Sequence, residues 1–189
     1  MEKEFIVKKE SSVTLNITAG RIDSYRMQEE TTGTVRAYAD GKIGVAGALG
    51  EPDESELTRQ AEEALSLGIP YVCALDGPLE REERHAAEIL PEKELAPVMQ
   101  ALLDQIGQAC PRFAISNKIT LSHDFTEYRN SKGRHLLSDE RALSIALLFQ
   151  ARGSGNLMDC FFEHTGRSFD PAAVVARCKE LHDAYFNPV

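Results

Sequence analysis

The chain has 189 residues, with 21 Lys plus Arg against 30 Asp plus Glu, a formal charge of −9, five His, four Cys and no Trp. Its 42% hydrophobic and 27% charged residues place it in the globular range and outside the composition of disordered chains. The negative balance, with no run of Lys and Arg interleaved with aromatics, argues against nucleic-acid binding; the longest apolar run, Ile145 to Phe149, falls far short of the ~18 residues of a membrane span.

Met1 to Glu10 is half charged and lacks the apolar core of a signal peptide. In Ser12 to Thr18 the apolar Val13, Leu15 and Ile17 fall two apart, which predicts a strand buried on one side. Ala19-Gly20 breaks it. Arg21 to Glu29 resumes extended structure with weak hydrophobicity, the mark of an edge, and Thr34 to Ala39 is the next strand. Asp40-Gly41 is a strong hairpin signal, since a type I′ turn needs positive φ at both central residues. Lys42 to Leu49 returns, and its small residues Gly44, Ala46, Gly47 and Ala48 predict close approach of another element.

Asp53 as N-cap, Glu56 three residues on, and the stripe Leu57, Ala61, Ala64 and Leu65 predict a helix that Gly68 stops. From Tyr71 to Pro91 periodicity fails and charge clusters at Glu80 to Arg84, which reads as a linker or exposed helical turn. A second helix is expected from about Pro97, with Val98, Leu102, Ile106 and Ala109 on one face and Pro111 beyond its end.

The pattern then recurs. Ile119, Leu121, His123 and Phe125 alternate within Lys118 to Arg129, and Asn130 to Gly133 makes a hairpin turn. Strands are expected at Arg134 to Leu137 and Arg141 to Ala151, the latter central because both faces are largely apolar, and a last strand at Asn156 to His164. Asp170 caps a final helix with Pro171 in its first turn and Val174, Val175, Cys178, Leu181 and Tyr185 as its buried stripe. Meander-then-helix thus occurs twice, at Ser12 to Gly68 and Lys118 to Phe186. The expectation is a single α+β domain over residues 1–189, a predominantly antiparallel sheet with helices packed on one face.

Several groups invite chemical readings, and each has a plain structural one. Cys160 and His164 share a strand face about 13 Å apart, too far for a nucleophile and its base. His123, Asp124 and Glu127 offer metal-ligand types, but in a strand Asp124 points opposite to His123. His85 and Glu88 would share a helix face within a solvated charge run. His182 borders the last helix's stripe, and His135 follows a hairpin turn. Gly153-Ser154-Gly155 and Gly44 to Gly50 lack the phosphate-loop pattern. Arg36, Arg129, Arg134, Arg141 and Arg152 line either a face for an acidic partner or an ordinary exposed face. Cys73, Cys110, Cys160 and Cys178, 37, 50 and 18 positions apart, form no C-x-x-C pair and read as reduced thiols of a cytoplasmic protein. No catalytic, cofactor-binding or metal-ligating residue is assigned.

The stretch Gly33-Thr-Val-Arg-Ala-Tyr-Ala-Asp-Gly-Lys-Ile-Gly-Val-Ala, the acidic loop and the Glu56-Leu57 helix resemble the opening of the TldD/PmbA family, also known as modulators of DNA gyrase. Asn130-Ser131-x-Gly133, an apolar strand, a Gly-rich turn, Gly166-Arg167 and the helix near Asp170-Pro171 continue the resemblance to about Tyr185. It implies the N-terminal α+β domain of a longer two-domain chain, without that family's usual leading helix and without its C-terminal catalytic domain. The active family member is a zinc peptidase, paired with a metal-free sister subunit, whose zinc motif is of the H-E-x-x-x-H type. No His here is followed by Glu, so no ligand carries over, and zinc is expected only in a C-terminal domain absent from this chain. The resemblance implies a non-catalytic role in substrate access and subunit pairing during peptide processing. The partners would be a second copy or a sister subunit and, through the assembly, a peptide; the alternative is a stand-alone interaction module that pairs through a sheet edge.

Overall fold

The structure is a computed structural model that describes residues 1–72 and 74–187, so the thiol of Cys73 lies outside the described residues, as do Pro188 and Val189. Strand β1 is Glu2–Thr18, β2 Arg21–Ala39, β3 Lys42–Leu49, β4 Leu79–His85, β5 Phe113–Asn130, β6 Arg134–Ala151 and β7 Cys160–Gly166; helix α1 is Glu54–Ala64, α2 Glu92–Ala109 and α3 Pro171–Phe186. The sheet order is β3-β2-β1-β5-β6-β4, with β7 also on β6. Pairing of β2 with β3 and of β6 with β7 is antiparallel, whereas β4 runs parallel to β6. The predominantly antiparallel α+β fold expected from the sequence is therefore present.

Two compact units form. The first contains residues 1–11, 28–86 and 123–140, the second residues 12–27, 87–122 and 141–189. They do not coincide with the two meander-then-helix stretches, because β1, β2, β5 and β6 each contribute residues to both.

In the first unit, Phe5 and Val7 of β1, Val35 and Ala37 of β2 and Ala46 of β3 pack with Leu57 and Ala61 of α1. The period-two burial of Phe5 and Val7 shows why β1 starts at Glu2, ten residues before the expected strand: between them Ile6 is half-buried, and on the other face Glu4 accepts from the hydroxyls of Tyr38 and Tyr128, both at 2.7 Å, so the charge of this segment does not keep it out of the sheet. Asp53 caps α1 by accepting the N–H groups of Ser55 and Glu56 at 3.0 and 3.1 Å. Glu56 does not return the bond as a full capping box would; it pairs with Arg59 and Gln60 instead. The close approach expected at β3 is real: a Cβ on Gly44 would sit 2.0 Å from the carbonyl oxygen of Ala61. Asp40 and Gly41 both take positive φ, +51° and +71°, as the type I′ turn requires.

The segment from Tyr71 to Pro91 differs from its reading as a linker or helical turn. It contains β4, a strand with every residue exposed. Period-based reasoning misses it because neither face is buried; its backbone pairing with β6 alone defines it.

In the second unit, Leu95, Met99, Leu102, Leu103 and Ile106 of α2 pack with Val13, Leu15 and Ile17 of β1, with Phe113, Ile115 and Ile119 of β5, and with the apolar row of β6. Each such fully buried Leu or Ile contributes about 1.5–3 kcal/mol of burial free energy. Helix α2 begins at Glu92, five residues before Pro97, which lies inside it. Glu92 and Glu94 favour the positive end of the helix dipole, and burial of Leu95 requires the earlier start. The expected pairs of short strands around residues 21–39 and 134–151 are each one long strand. β3 reaches only Thr32 to Ala39 of β2, which leaves the exposed first half of β2 outside that ladder, as its weak hydrophobicity indicated. β7 begins at Cys160, not Asn156; on α3 Val174 and Cys178 are buried with Val175 and Leu181 packed beside them as expected, His182 is buried too, and Tyr185 instead stays 40% exposed and donates to Asp159 at 3.1 Å. Among the described residues no helix is long and apolar enough to cross a membrane.

Candidate functional site

The first unit carries a groove of about 780 Å³. Its floor is apolar, formed by Phe5 and Val7 of β1, Phe125 of β5 and Pro52 ahead of α1. Alternation explains the assembly: Phe5, Val7 and Lys9 fall on one face of β1, and His123, Phe125, Glu127 and Arg129 on one face of β5. Around the floor stand seven carboxylates, Glu10, Glu29, Glu30, Glu51, Glu54, Glu127 and Asp139, against two fixed cations, Lys9 and Arg129.

Part of this charge is internally paired. Arg129 donates through Nη2 to Glu54 at 2.9 Å, and its guanidinium lies 4.7 Å from the Phe5 ring centre. Lys9 Nζ donates to Glu51 Oε1 at 2.9 Å. His123 Nε2 is 2.7 Å from Asp139 Oδ1, and His135 Nε2 is 3.0 Å from Glu127 Oε1. The two His–carboxylate pairs stand four residues apart on each strand and run in opposite senses, as side chains on one face of an antiparallel hairpin must. The turn that sets this register is held by Asn130, whose Oδ1 accepts from the N–H groups of Lys132 and Arg134 at 2.9 and 3.0 Å, while Gly133 takes a φ of +86°. Glu10, Glu29 and Glu30 remain exposed along the rim.

The remaining sequence candidates sit elsewhere. Asp124 is exposed and does not line the groove, while His123 and Glu127 do. His85 ends β4 and Glu88 follows it in an irregular segment, so they share no helix face. Cys160 and His164 face Phe149 and Ile145 of β6, respectively, and burial raises the Cys160 thiol pKa. His182 is buried beside Phe113 and Phe186, with ring centres 5.6 and 4.8 Å away, and its Nδ1 lies 3.1 Å from Asp183 Oδ1. Gly153 to Gly155 form a turn whose Ser154 N–H donates to Ala151 O at 2.9 Å. Arg36 lies 3.5 Å from Glu4 and Arg134 donates to Asp76 at 2.8 Å, while Arg152 donates to the Pro111 carbonyl at 3.1 Å, so these arginines do not form one receptive face. Arg141 is half-buried on β6.

Asp139 and the rim glutamates were not singled out by composition or spacing. A signal existed for Asp139: His-x-x-x-Glu on one arm of a hairpin and His-x-x-x-Asp on the other have the same spacing in an antiparallel pair, so that each imidazole can reach the other arm's carboxylate. Zinc, which the family resemblance implies only for a C-terminal domain, does not fit these side chains. Each imidazole is engaged by a single carboxylate, and among the described residues no three His, Cys, Asp or Glu side chains converge on one point.

Known structures share this architecture. TldE from Thermococcus kodakarensis superposes with a TM-score of 0.72 at 16% identity, over 96% of this chain and 44% of that one. The chain has the fold of TldE over nearly its whole length. A proposed modulator of DNA gyrase from Thermotoga maritima gives 0.71 at 14% identity, over 97% and 44%, and one from Bacteroides thetaiotaomicron gives 0.65 at 12%, over 96% and 45%. The chain thus spans less than half the length of the structures it matches. No family model matches it, and no curated protein does.

Proposed function

We propose that this chain is a non-catalytic part of a TldD/PmbA-type assembly in the cytoplasm, serving substrate access and subunit pairing in peptide processing, with the peptidase chemistry carried outside it. The observation that carries this reading is the groove, whose apolar floor and acidic rim suit an extended cationic peptide. Phe5, Val7 and Phe125 offer contacts to side chains projecting from such a segment, and the exposed rim glutamates select against acidic ones. Both imidazoles in and beside the groove are engaged by carboxylates, and among the described residues no serine, threonine or cysteine is hydrogen-bonded to either, so the groove is suited to holding rather than cutting. The shared fold with TldE supports the family context.

Fluorescence anisotropy tests it with two unstructured peptides, one bearing alternate Lys and Arg, the other Glu at the same positions. Saturable binding of the cationic peptide alone is expected. The triple variant Glu29→Gln, Glu30→Gln, Glu51→Gln should weaken it roughly tenfold, about 1.4 kcal/mol, and salt should weaken it further. Equal binding of both peptides, or indifference to the triple variant, would sink the reading.

A further inference from the structure

The strand β4 ends the sheet order and is exposed along all seven residues. One side of its backbone pairs with β6, from Leu79 opposite Arg134 to His85 opposite Glu140. Among the described residues no strand lies on its other side, so that edge presents unmatched N–H and C=O groups, a template for another strand.

The side chains on this edge have an unusual order, Leu79-Glu80-Arg81-Glu82-Glu83-Arg84-His85. Turned end over end about Glu82, the segment sets Glu80 against Arg84 and Arg81 against Glu83. We propose that β4 pairs antiparallel with β4 of a second copy of this chain, on a two-fold axis through Glu82. The inference deepens the pairing part of the proposed function and rests on that part.

In this register four opposed pairs are of opposite charge, because each of the two combinations occurs twice across the axis. Leu79 meets His85. Only Glu82 meets its own copy, with Glu80 and Arg84 of the other copy as its two diagonal neighbours on the same face. Other registers are penalised. A shift by one residue sets Arg81 against Arg84 and Glu82 against Glu83; a shift the other way sets Glu80 against Glu83 and retains only the two Arg81–Glu82 pairs, half the number of opposite-charge pairs. A parallel in-register pairing matches every charge with itself. Within one copy, Arg81 pairs with Glu83 and Arg84 with Glu82, both on the exposed strand, and Arg84 Nη1 also lies 3.6 Å from Asp139 Oδ2. Exchanging the first two for partners across the axis is a swap of like for like between solvated ion pairs. The charges therefore choose partner and register, while the backbone ladder supplies the attraction. The interface is isologous, as a two-fold pair demands.

Sedimentation equilibrium over a wide concentration range tests this on the full chain. The wild type should show a reversible monomer–dimer equilibrium, and Arg81→Glu with Arg84→Glu should abolish the dimer. The fully inverted variant, Glu80→Arg, Arg81→Glu, Glu83→Arg and Arg84→Glu, should dimerise with itself and form no mixed dimer with the wild type. Glu82→Cys, which puts the thiol on the axis, should accumulate a disulfide-linked dimer under mild oxidation that neither the wild type nor Glu80→Cys gives. All these positions are exposed, and circular dichroism verifies the fold of each variant. A wild type that stays monomeric, an inverted variant that mixes freely with it, or a charge pattern that can be reversed in one copy without effect would each overturn the proposal. A monomer that still binds the cationic peptide would overturn the pairing alone, and a dimer that binds no peptide would overturn substrate access alone.

Discussion

His123 and Asp139 meet across the β5–β6 hairpin, Nε2 to Oδ1 at 2.7 Å, although sixteen residues separate them along the chain. Asp139 is largely covered, with 14% of its side chain exposed, against 36% for His123. A double-mutant cycle with His123→Ala and Asp139→Ala should therefore give a coupling of about 0.5–1.5 kcal/mol by chemical denaturation. Strict additivity of the two variants would show that the contact contributes nothing to the hairpin.

At Gly44 the backbone of α1 lies against β3, with the Ala61 carbonyl oxygen in the place of a side chain. Gly44→Ala should destabilise the protein by roughly 1–3 kcal/mol, because backbone rather than a flexible side chain has to move. Gly20, at which an added Cβ meets nothing within 4 Å, is a poor control owing to its φ of +78°; Gly107 in α2 has open space and is the suitable one. There, Gly107→Ala should be neutral or stabilising by up to about 1 kcal/mol. Thermal and urea melts of the two variants decide the matter.

The loop anchored by Asp159 and the cap of α1 predict an acid-sensitive fold. The Asp53 carboxyl is held below its ordinary range first by the Ser55 hydroxyl and then by the Glu56 N–H, and that of Asp159 first by the Asn156 amide and then by the Ala151 N–H. In the unfolded chain both carboxylates take up protons at higher pH than in the folded one. Their stabilisation is therefore fully present above the ordinary Asp pKa and is lost as pH falls through the lowered folded values. Melting midpoints of wild type and Asp53→Ala should differ at neutral pH and converge in acid. A gap that stays constant down to the lowest accessible pH would contradict the cap's role.

Cys110 and Cys178 lie together in the second unit, where the Cys110 thiol donates to the Cys178 carbonyl at 3.4 Å. Burial pushes their thiol pKa values up to about 11 and about 12. Both should resist alkylation at neutral pH until the protein unfolds, while half-buried Cys160 reacts sooner. Mass spectrometry of peptides after timed iodoacetamide exposure reads the order directly. Rapid labelling of Cys178 in the native protein would mean that the core around α3 opens readily.

Much of the fold was legible because burial imposes period. Val13, Leu15 and Ile17 named their strand, Asp170-Pro171 named the start of α3, and Asp40-Gly41 named its turn. Where burial is absent the signal fails. β4 exists through backbone pairing and exposes every side chain, so no spacing marks it. Pro97 misled in the opposite direction: its missing N–H suggested a helix start, yet the apolar contact of Leu95 extends α2 past it towards the N-terminus. The groove was the least legible feature. His123 and Glu127 were visible as chemistry-bearing residues, but Asp139 enters only through the register of the hairpin, and Glu29, Glu30 and Glu51 only through the fold.

The long strands that serve both units have an evolutionary corollary. The chain passes from one unit to the other at residues 11–12, 27–28, 86–87, 122–123 and 140–141. No contiguous stretch of sequence encodes either unit, so recombination at a single point cannot transplant one without carrying away part of the other. The groove and the larger apolar core are thereby bound into one heritable block, gained or lost together.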